Sequence, residues 1–417
     1  MEMSARVERA VMTMNEPQVV TVQYQSAVRG NVDPHLSIRH YDPEADMMLL
    51  HFGPQHPSTH GVFRMDLHLD GEIVVKATPY VGYLHRAVEK LCEKLSYVQQ
   101  TPIVDKNDYV APMTNEQALN MAFEKLLNVE VPRRARWMRT LFAELQRIAS
   151  HLLALGTFSI DLGGALGGGS TLFIHTFRER ELILDLFEEV TGMRFHYNTH
   201  TIGGQRHDLP AGFDKKVHAA LDIIESRIPE YAKMTVDNAI FKDRTVGVGV
   251  LDGKLALELG ITGPILRASG VDHDLRRDAP YSAYDELVPR VRVETAGDCY
   301  ARTRVRFDEV TDSIALCRKA IDGMPEGPIN GYKPIRQPTM AKATSGQVYV
   351  GIETPRGELG TFVVAGGDTP TSPHRLKIRS PSLHALAAIP YIMPGATVSD
   401  AVAILGSLDP IMGEVDR

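Results

Sequence analysis

Cysteine is scarce in this sequence, and its spacing excludes several kinds of site. The 417 residues include only Cys92, Cys299 and Cys317, which lie far apart and form no C-x-x-C pair. Disulfide scaffolds, zinc sites and iron–sulfur clusters require cysteines that are paired at suitable spacing. We therefore expect no disulfide framework, no zinc site and no cluster held by this chain alone, and a reducing compartment fits the composition.

The chain also lacks a basic surplus and a long apolar run. Lys and Arg total 45 against 52 for Asp and Glu, so no excess positive charge is available to neutralise a nucleic-acid backbone. The stretch that is poorest in charge, residues 152–177, has Asp161 in its middle and is broken by six glycines. A membrane span needs about 20 mostly apolar residues without a central carboxylate. Neither a nucleic-acid partner nor a transmembrane segment is expected.

Two further signals are missing from the sequence. The N-terminus "MEMSARVERAVMTMNEPQ" mixes acids and bases without an apolar segment, so it does not predict a secretory signal. No glycine-rich dinucleotide fingerprint is found in the chain. Direct binding of NAD by this chain is therefore not predicted.

The remaining composition is that of a folded protein, with 43% hydrophobic and 23% charged residues. Its periodicity predicts an α+β fold in which a central helical bundle is flanked by small antiparallel sheet elements from the N- and C-terminal regions. We expect an N-terminal arm at 1–45, a β-hairpin region with the HPSTH loop at 46–80, a helical core at 81–323, a Pro/Gly-rich connector at 324–346 and a C-terminal β/α region at 347–417.

Alternating apolar and polar residues predict the strands. Residues 63–69 alternate before Asp70 and Gly71, a favoured pair for a two-residue hairpin turn. Beyond residue 345, the runs "QVYVGIE", "GTFVVA" and "RLKIR" predict three short strands, with "PRGELG" turning between the first two. Sheet elements are therefore expected at both ends of the folded region.

Apolar residues spaced by three and four predict the helices. Thr114 with Gln117 forms a capping-box pattern, which predicts a helix that starts at this point. Apolar residues from 137 to 155 predict one long helix with a single buried stripe after Pro132. A third helix is expected from about residue 177 to Gly192, and two more near 213–228 and 309–322.

The stretch "GPQHPSTHG", residues 53–61, holds two histidines four residues apart in a loop limited by proline and glycine. On a helix, His56 and His60 would face the same way and could bind a metal. Pro57 and the flanking glycines oppose that helix, and no third ligand stands out among 16 histidines. The alternative, which the spacing alone favours, is that both side chains stabilise the loop through hydrogen bonds to the backbone.

Tyr109 and Asp161 lie at the ends of predicted helices. Tyr109 comes just before the capping-box helix, where a core tyrosine with a satisfied hydroxyl is the ordinary interpretation. Asp161 comes just beyond the long helix, where a hydrogen-bonding group at the helix end is the ordinary interpretation. A carboxylate buried in the apolar, glycine-rich surroundings of residues 152–169 should be paired, and histidine is its natural partner because it can share a proton near neutral pH.

Eight blocks of sequence, in the same order, resemble the D-type subunit of bacterial NADH:quinone oxidoreductase, which is respiratory complex I. They run from about residue 46 to the C-terminus: "GPQHPSTHGVFR", "VGYLHRAVEKL", "RIASHLLALGTFSIDLG", "FRERE", "VTGMRFH", "LRASGV", "RGELG" and "SLDPIMGEVDR". The resemblance implies descent from the large subunit of nickel–iron hydrogenases, with the old metal cavity turned into a site for the quinone head group.

The hydrogenase ancestry can be tested on the last block. Hydrogenases hold their metals through cysteine pairs, the last of which lies in a terminal D-P-C-x-x-C. The corresponding stretch here, from Asp409 to Glu414, has Ile411 and Glu414 at the two cysteine positions. Neither a metal site nor hydrogenase activity is therefore expected.

The resemblance also implies a quinone site. His60 and Tyr109 would donate hydrogen bonds to the two quinone carbonyl oxygens, and Asp161 would be the acid linked to His60. The resemblance also implies that His56 and Val415 contact the quinone. Reduction makes the quinone oxygens strongly basic, so even a tyrosine with an ordinary pKa of about 10 could transfer its proton to them.

Two more residues are implied to face an iron–sulfur cluster held by a partner chain. Arg86 and His196 match family residues that approach the terminal cluster, where hydrogen bonds or positive charge would raise its reduction potential. The alternatives are an ion pair between Arg86 and the acid-rich helix that follows it, and a helix-end cap at His196.

The function implied by the resemblance is two-electron, two-proton reduction of quinone by a peripheral subunit on the cytoplasmic side of the cell membrane. The expected partners are the cluster-bearing small subunit of the B type, subunits of the C and I types, and the membrane subunit of the H type. NADH would be used by the whole complex, which would couple the reaction to proton transport.

Three departures from the family pattern leave other functions open. They are the long glycine-rich tract after Asp161, the residues Thr199 to Thr201 after His196, and the short 324–346 connector. Relatives fed by ferredoxin or by a coenzyme share most of the same blocks, so the electron donor is open. A non-catalytic scaffold subunit and a free-standing metalloenzyme are the remaining alternatives.

Overall fold

The computed structural model describes residues 36–42, 47–163, 169–332 and 341–417, and it has the predicted α+β architecture. A four-stranded antiparallel sheet from the N-terminal part and a three-stranded antiparallel sheet from the C-terminal part flank a bundle of long helices. Most of the predicted arm at 1–45, the glycine-rich residues 164–168 and residues 333–340 of the predicted connector lie outside the described residues.

The N-terminal sheet contains β1 Leu36–Asp42, β2 Met47–Phe52, β5 Arg64–Asp70 and β6 Ile73–Tyr80, in the order β1-β2-β5-β6. A separate small hairpin, β3 Gln55–His56 and β4 Gly61–Val62, lies between β2 and β5 along the chain. The loop with the two histidines therefore leads directly into a strand, as the alternation of residues 63–69 predicted.

The predicted turn between β5 and β6 is wrong by one residue. Asp70 pairs with Ile73, so the two turn residues are Gly71 and Glu72 rather than Asp70 and Gly71. Gly71 has φ 59°, a left-handed conformation that glycine adopts without steric cost. The register of β5 and β6 therefore makes Gly71, not Asp70, the first residue of the turn.

The long helices are α3 Pro112–Leu127, α4 Arg133–Asp161, α5 Gly169–Thr191, α6 Phe213–Met234, α11 Cys299–Asp322 and α14 Val398–Leu408. The short ones are α1 Val88–Cys92, α2 Thr101–Val104, α7 Ala239–Thr245, α8 Gly253–Glu258, α9 Gly263–Ala268, α10 Leu275–Asp278, α12 Pro381–Leu386, α13 Ile389–Ile392 and α15 Met412–Asp416. Two-residue strands, β7 His200–Thr201 and β8 Gly204–Gln205, interrupt the region predicted as a helical core.

The start of α3 differs from the prediction. The helix begins at Pro112, and Thr114 lies inside its first turn, where its hydroxyl donates to the carbonyl of Ala111 at 2.7 Å. Gln117 donates instead to the hydroxyl of Ser282. The predicted capping box is therefore wrong, because proline has no N–H to satisfy at the first helical position and its fixed φ favours a helix start there.

The long helix α4 confirms its predicted stripe. The apolar residues at 137, 141, 145, 148, 152 and 155 are all buried, and the helix packs against α5 and α11. The helix continues through Asp161 instead of ending before it. Helix α5 ends before Gly192 as predicted but starts at Gly169, and α6 and α11 are both longer than expected.

The C-terminal part packs back onto the N-terminal sheet. Strands β9 Gln347–Thr354, β10 Gly357–Val364 and β11 Arg375–Arg379 confirm the three predicted runs. Helices α12 to α14 share a hydrophobic core with β5 and β6, and the end of α4 enters the same core through Phe158. The loop of residues 53–63, the end of α4 and the end of α14 consequently meet at one place. Of the helices in the described ranges, none combines the length and the apolar character that a membrane span requires.

Candidate functional site

The loop of residues 53–63 is closed by hydrogen bonds between its own ends. The N–H of Phe63 donates to the carbonyl of Pro54 at 3.1 Å, and β3 pairs with β4 just inside that contact. Thr59 is fully buried, and its hydroxyl lies 2.6 Å from the carbonyl oxygen of His56 and 2.7 Å from that of Gly61. These contacts give the loop one shape without help from a helix.

The two histidines have different roles in this loop. Pro57 starts a single 3-10 turn, Pro57–Thr59, and the Nδ1 atom of His56 accepts the N–H of Ser58 at 3.1 Å. The backbone hydrogen bond expected for both histidines is thus found for His56. His60 follows the turn with φ 56° and ψ 32°, a left-handed conformation, and its ring contacts a distant helix instead of its own loop.

His60 pairs with Asp161, which lies 101 residues away in the sequence. Its Nε2 atom is 2.6 Å from Oδ2 of Asp161, and the two side chains are only 12% and 5% exposed. The histidine partner predicted for a buried Asp161 is therefore present. Gly406 on α14 makes room for this contact, because a Cβ atom there would lie 2.4 Å from Oδ2 of Asp161.

The surroundings of His60 favour its protonated form. Burial alone would lower the pKa of the imidazole, but the hydrogen bond and charge of Asp161, together with the charge of Asp409, outweigh burial and the opposing charge of Arg356. The pKa of His60 is consequently raised above its ordinary value of 6.5. The cationic form of His60 is therefore favoured more than that of a free imidazole.

His60 and Asp161 face a cavity of about 440 Å³. Tyr109, which lies between α2 and α3, is in the same wall. The other lining residues are mostly apolar: Pro57, Ser58, Gly61, Val110, Leu153, Thr157, Ile160, Phe173, Asp409, Pro410 and Ile411. An apolar cleft of this size with a few convergent polar groups is typical of a small-molecule site.

The hydroxyl group of Tyr109 is available for a ligand in this cavity. No hydrogen bond joins it to another of the residues that the structure describes, so the satisfied core tyrosine of the ordinary interpretation is not found. Burial and the nearby Asp108 and Asp409 raise the pKa of Tyr109, while Arg356 acts in the opposite direction. The phenol therefore stays protonated and can donate a hydrogen bond.

The buried side chain of Arg356 connects two segments of the chain that border the cavity. Nη1 of Arg356, in the turn between β9 and β10, donates to Oδ2 of Asp108 at 2.9 Å and to the hydroxyl of Ser150 at 3.1 Å. Its Nε donates to the carbonyl of Asp409 at 3.0 Å. Asp409 has φ 51° at the end of α14 and lines the cavity. The side chain of Arg356 thus ties the loop before α3 to the last residues of the chain.

Arg86 and His196 lie together on a second, neighbouring patch. Nη2 of Arg86 donates to the carbonyl of Lys106 at 3.0 Å and to Oδ1 of Asn107 at 3.1 Å. Nδ1 of His196 is 3.7 Å from Oδ2 of Asp105. Both residues therefore contact the segment 105–107, a few residues before Tyr109. The ion pair and the helix-end cap given as alternatives are not among the contacts of the described residues.

Two of the implied quinone contacts are not on the cavity wall formed by the described residues. Val415 is 1% exposed and packs in the core shared with the N-terminal sheet, and His56 is held by its own loop. Ile411 lines the cavity instead, together with Asp409, and neither was selected from the sequence. A signal was available, because Ile411 occupies one of the two cysteine positions of the hydrogenase pattern.

His56 and His60 belong to no cluster of potential metal ligands among the described residues. Across the described ranges, no group of three or more His, Cys, Asp or Glu side chains is arranged to hold one metal ion. The three cysteines are buried and separate.

Comparison with known proteins gives a consistent result. Residues 167–417 match the family model of the respiratory-chain NADH dehydrogenase 49 Kd subunit. The chain is 43% identical over 396 residues to the second D-type subunit of NADH-quinone oxidoreductase of Rhizobium etli, with 89% of this chain and 95% of the relative covered. It is 44% identical over 379 residues to the D-type subunit of NADH-quinone oxidoreductase of Clostridium beijerinckii, with 90% and 100% covered.

Proposed function

Because the chain belongs to the family of the 49-kDa, or D-type, subunit of NADH-quinone oxidoreductase, we propose that it binds quinone and reduces it to quinol within that complex. One observation carries the proposal. A histidine–aspartate pair and a tyrosine hydroxyl that makes no hydrogen bond to the described residues line the same apolar cavity. These are the groups that a two-proton reduction of a dicarbonyl ring needs.

The proposed chemistry uses Tyr109 and His60 as two proton donors. Each donates a hydrogen bond to one quinone oxygen, and each transfers its proton as two electrons arrive and the oxygens become basic. The products are quinol, a tyrosinate and a neutral imidazole, and both side chains then regain protons from solvent. Asp161 orients the His60 ring and favours its cationic form before the transfer.

The electrons would come from an iron–sulfur cluster in the cluster-bearing partner subunit of the B type. Arg86 and His196 fit the neighbourhood of such a group, because Nε of Arg86 is buried without a hydrogen-bond partner among the described residues and His196 contacts the same segment, 105–107. The cluster, when bound, supplies one electron at a time. The two side chains would direct hydrogen bonds and positive charge towards its sulfur atoms, which raises its potential.

The remaining features of the proposed function concern the whole complex. We place the chain at the cytoplasmic side of the membrane, in contact with subunits of the C and I types and with the membrane subunit of the H type. NADH is the electron source in this proposal, and the change of charge at His60 and Asp161 is the signal that is coupled to proton transport. The names of the relatives support NADH as the donor over ferredoxin or another coenzyme.

The first experiment replaces Tyr109 by Phe in native membranes. We expect the rate of NADH:quinone turnover to fall by about 100-fold, because one of two proton donors is removed. The rate of NADH reduction of an artificial acceptor upstream of the quinone should be unchanged. Tyr391→Phe is the matched control, since Tyr391 is exposed on α13, and both of its rates should equal those of the wild type.

Other outcomes of this experiment would contradict the proposal in different ways. If both activities persist in Tyr109→Phe, the site is wrong. If the substitution reduces the amount of assembled complex instead of turnover, the chain is a scaffold at this position. If wild-type membranes do not oxidise NADH, electrons enter from another donor. Elemental analysis for bound nickel, iron or zinc in this chain tests the metalloenzyme alternative.

A further inference from the structure

Asp416, at the end of α15, holds the loop that connects β6 to α1. It is 8% exposed, and its two carboxylate oxygens accept the N–H groups of Gly82 and Leu84, both at 2.7 Å. Its carbonyl oxygen accepts the Nδ1–H group of His85, also at 2.7 Å. Hydrogen bonds from backbone N–H groups to a carboxylate are among the stronger ones. The loop is therefore fixed by a residue that lies 331 to 334 positions later in the chain.

The next residue of this loop, Arg86, reaches the segment that leads to Tyr109. Nη2 of Arg86 donates to the carbonyl oxygen of Lys106 at 3.0 Å and to Oδ1 of Asn107 at 3.1 Å. Tyr109 follows two residues after Asn107. The hydrogen bonds of Asp416 and Arg86 thus form one continuous connection from α15 to the backbone just before the tyrosine.

Helix α15 also contacts this segment directly. A Cβ atom at Gly413 would lie 2.7 Å from the carbonyl oxygen of Asn107 and 3.5 Å from Cδ1 of Tyr109, so the helix packs against both the backbone and the ring. Ile411, just before α15, lines the cavity that Tyr109 faces. The short stretch from Ile411 to Asp416 consequently touches the cavity, the tyrosine and the loop that carries Arg86.

Tyr109 depends on such support because its own hydroxyl group provides no anchor. The hydroxyl makes no hydrogen bond to the described residues, so the backbone and the packing of the ring decide where it lies. On one side, Asp108 is held because its Oδ1 accepts the N–H groups of Val110 and Ala111, both at 3.0 Å. A proton donor has to lie within about 0.5 Å of the productive geometry. Loss of the hold at residues 106 and 107 would therefore misplace the hydroxyl.

We propose that Asp416 and Arg86 are positioning residues for Tyr109. Asp416 fixes the loop, Arg86 connects the loop to residues 106 and 107, and the phenol is held where it donates to a quinone oxygen. The inference rests on the proposed function, in which Tyr109 is a proton donor. It is compatible with a role of Arg86 at the partner's cluster, because Nη2 contacts the segment of Tyr109 whereas Nε has no hydrogen-bond partner among the described residues.

The first test replaces Asp416 by Asn in native membranes, alone and together with Tyr109→Phe. The amide keeps one acceptor oxygen but turns its NH2 group towards one of the two N–H donors, so one hydrogen bond is lost. The kcat of quinone reduction should fall about tenfold with little change in KM, because the donor is misplaced in the transition state. In the Tyr109→Phe background, where turnover is already lower by about 100-fold, Asp416→Asn should add almost no further loss.

The second readout is amide hydrogen exchange in the purified complex, measured by mass spectrometry. Asp416→Asn should speed exchange in residues 81–87 and also in residues 105–110. Arg86→Met should speed exchange in residues 105–110, because both hydrogen bonds to that segment are lost while Asp416 still holds the loop. This order, from Asp416 through Arg86 to the tyrosine, is specific to the proposed connection.

Asp298→Asn is the matched control. Asp298 is 3% exposed, and its two oxygens accept the N–H groups of Ala301 at 2.7 Å and Gly247 at 2.8 Å, so it joins two segments in the same way as Asp416. Its hydrogen bonds hold the start of α11 instead of the loop before α1. Quinone turnover per complex and exchange in residues 81–87 and 105–110 should equal those of the wild type.

The outcomes separate this inference from the proposed function. If Tyr109→Phe alone leaves quinone turnover normal, the proposed function fails and this inference fails with it. If Tyr109→Phe lowers turnover but Asp416→Asn does not, or if the two losses multiply to about 1,000-fold in the double variant, only the positioning role is overturned. Faster exchange in residues 81–87 without a change in residues 105–110 overturns it as well.

A second variant decides if Asp416→Asn fails to assemble. His85→Leu removes the third hydrogen bond of Asp416 from an exposed side chain, so the fold should tolerate it. Its loss of turnover should also disappear in the Tyr109→Phe background. Normal turnover in His85→Leu, or a loss that multiplies with that of Tyr109→Phe, overturns the proposal.

Discussion

Helix α4 contributes one residue to each of two histidine–carboxylate pairs. The two pairs differ in their surroundings and in the direction of the histidine pKa shift. Near the end of α4, Asp161 pairs with His60 at 2.6 Å beside the cavity. About three turns earlier, His151 pairs with Glu309 at 2.9 Å, and both side chains are enclosed by protein. The pKa of His60 is raised, whereas the pKa of His151 is lowered. Similar groups at similar distances therefore have histidine pKa values shifted in opposite directions.

The difference comes from the neighbouring charges. Glu309 accepts two hydrogen bonds from Arg267, and burial together with the charges of Arg147 and Arg306 opposes a cation at His151. This pair belongs to a buried ionic network formed by Glu144, Arg147, His151, Arg267, Asp274, Arg276, Glu309 and Glu353. At His60 the hydrogen bond to Asp161 and the charge of Asp409 outweigh burial. Of these two pairs, the one with the raised histidine pKa is the one whose carboxylate has no arginine partner among the described residues.

The largest expected effect comes from breaking the ionic network. Arg267 is fully buried and bonds to Glu309 at 2.8 Å and to Glu353 at 2.7 Å. Arg267→Met should lower the free energy of unfolding by about 3–5 kcal/mol, because it leaves buried carboxylates without a partner. We expect little assembled complex, which immunoblots of native gels would measure.

Arg277 provides the control for that substitution. Its ion pairs with Asp272 and Asp278 are at the surface, so Arg277→Met should change stability by about 1 kcal/mol or less. Equal losses of assembled complex in the two variants would mean that burial of the network does not matter.

The second prediction compares the two carboxylates directly. Asp161→Asn should leave the complex assembled but lower quinone turnover by about tenfold to 100-fold, because the neutral amide no longer favours the cationic form of His60. Glu309→Gln should do the opposite, with less assembled complex and a nearly normal rate per complex, because Arg267 loses one of its charged partners. Quinone turnover and the amount of complex are measured on the same membranes. A normal rate in Asp161→Asn would remove the distinction between the two pairs.

The smallest expected effect is a difference in pH dependence. A raised pKa in the folded chain means that the contribution of His60 to stability is complete below pH 6.5 and is lost as the pH rises through the folded pKa. The lowered pKa of His151 means that its contribution is present above pH 6.5 and is lost as the pH falls through the folded pKa.

Substitution of each histidine by Gln tests that difference. His60→Gln should lower the melting temperature of the purified complex more at about pH 5.5 than at about pH 8, and His151→Gln should show the reverse order. Parallel pH profiles for the two variants would contradict the assigned directions of the pKa shifts.

The sequence predicted the presence of the long helices and of the three C-terminal strands, but it missed helix ends and the shortest elements. The buried stripe of α4 has six apolar positions, so its helical period is clear even if one position is interpreted wrongly. The start of α3 was misplaced because Thr114 and Gln117 match a capping box while Pro112 offers an equally local signal two residues earlier. Strands β7 and β8 have two residues each, too few for any alternation to be visible.

In the candidate site, some of the residues selected from the sequence line the cavity and others do not. The roles of His60, Tyr109 and Asp161 were carried over from the family resemblance, and the cost of burying an unpaired carboxylate also indicated a histidine partner for Asp161. The structure brings all three residues to one cavity. Val415 was carried over from the same terminal block, yet Ile411 lines the cavity in its place. Ile411 precedes α15 in an extended conformation, whereas Val415 is inside that helix and faces the core. A short terminal block does not reveal which of its residues faces the ligand.

Periodicity, composition and motif order are local properties, and they are sufficient to give the fold class, the helix with the buried stripe and the absence of cluster-binding cysteines. The protonation of His60 is not local. It depends on Asp161, 101 residues away, on the space that Gly406 leaves for that carboxylate, and on Asp409 and Arg356. A pKa reflects every charge within a few ångströms and the exclusion of water, and only the packed chain brings such distant groups together.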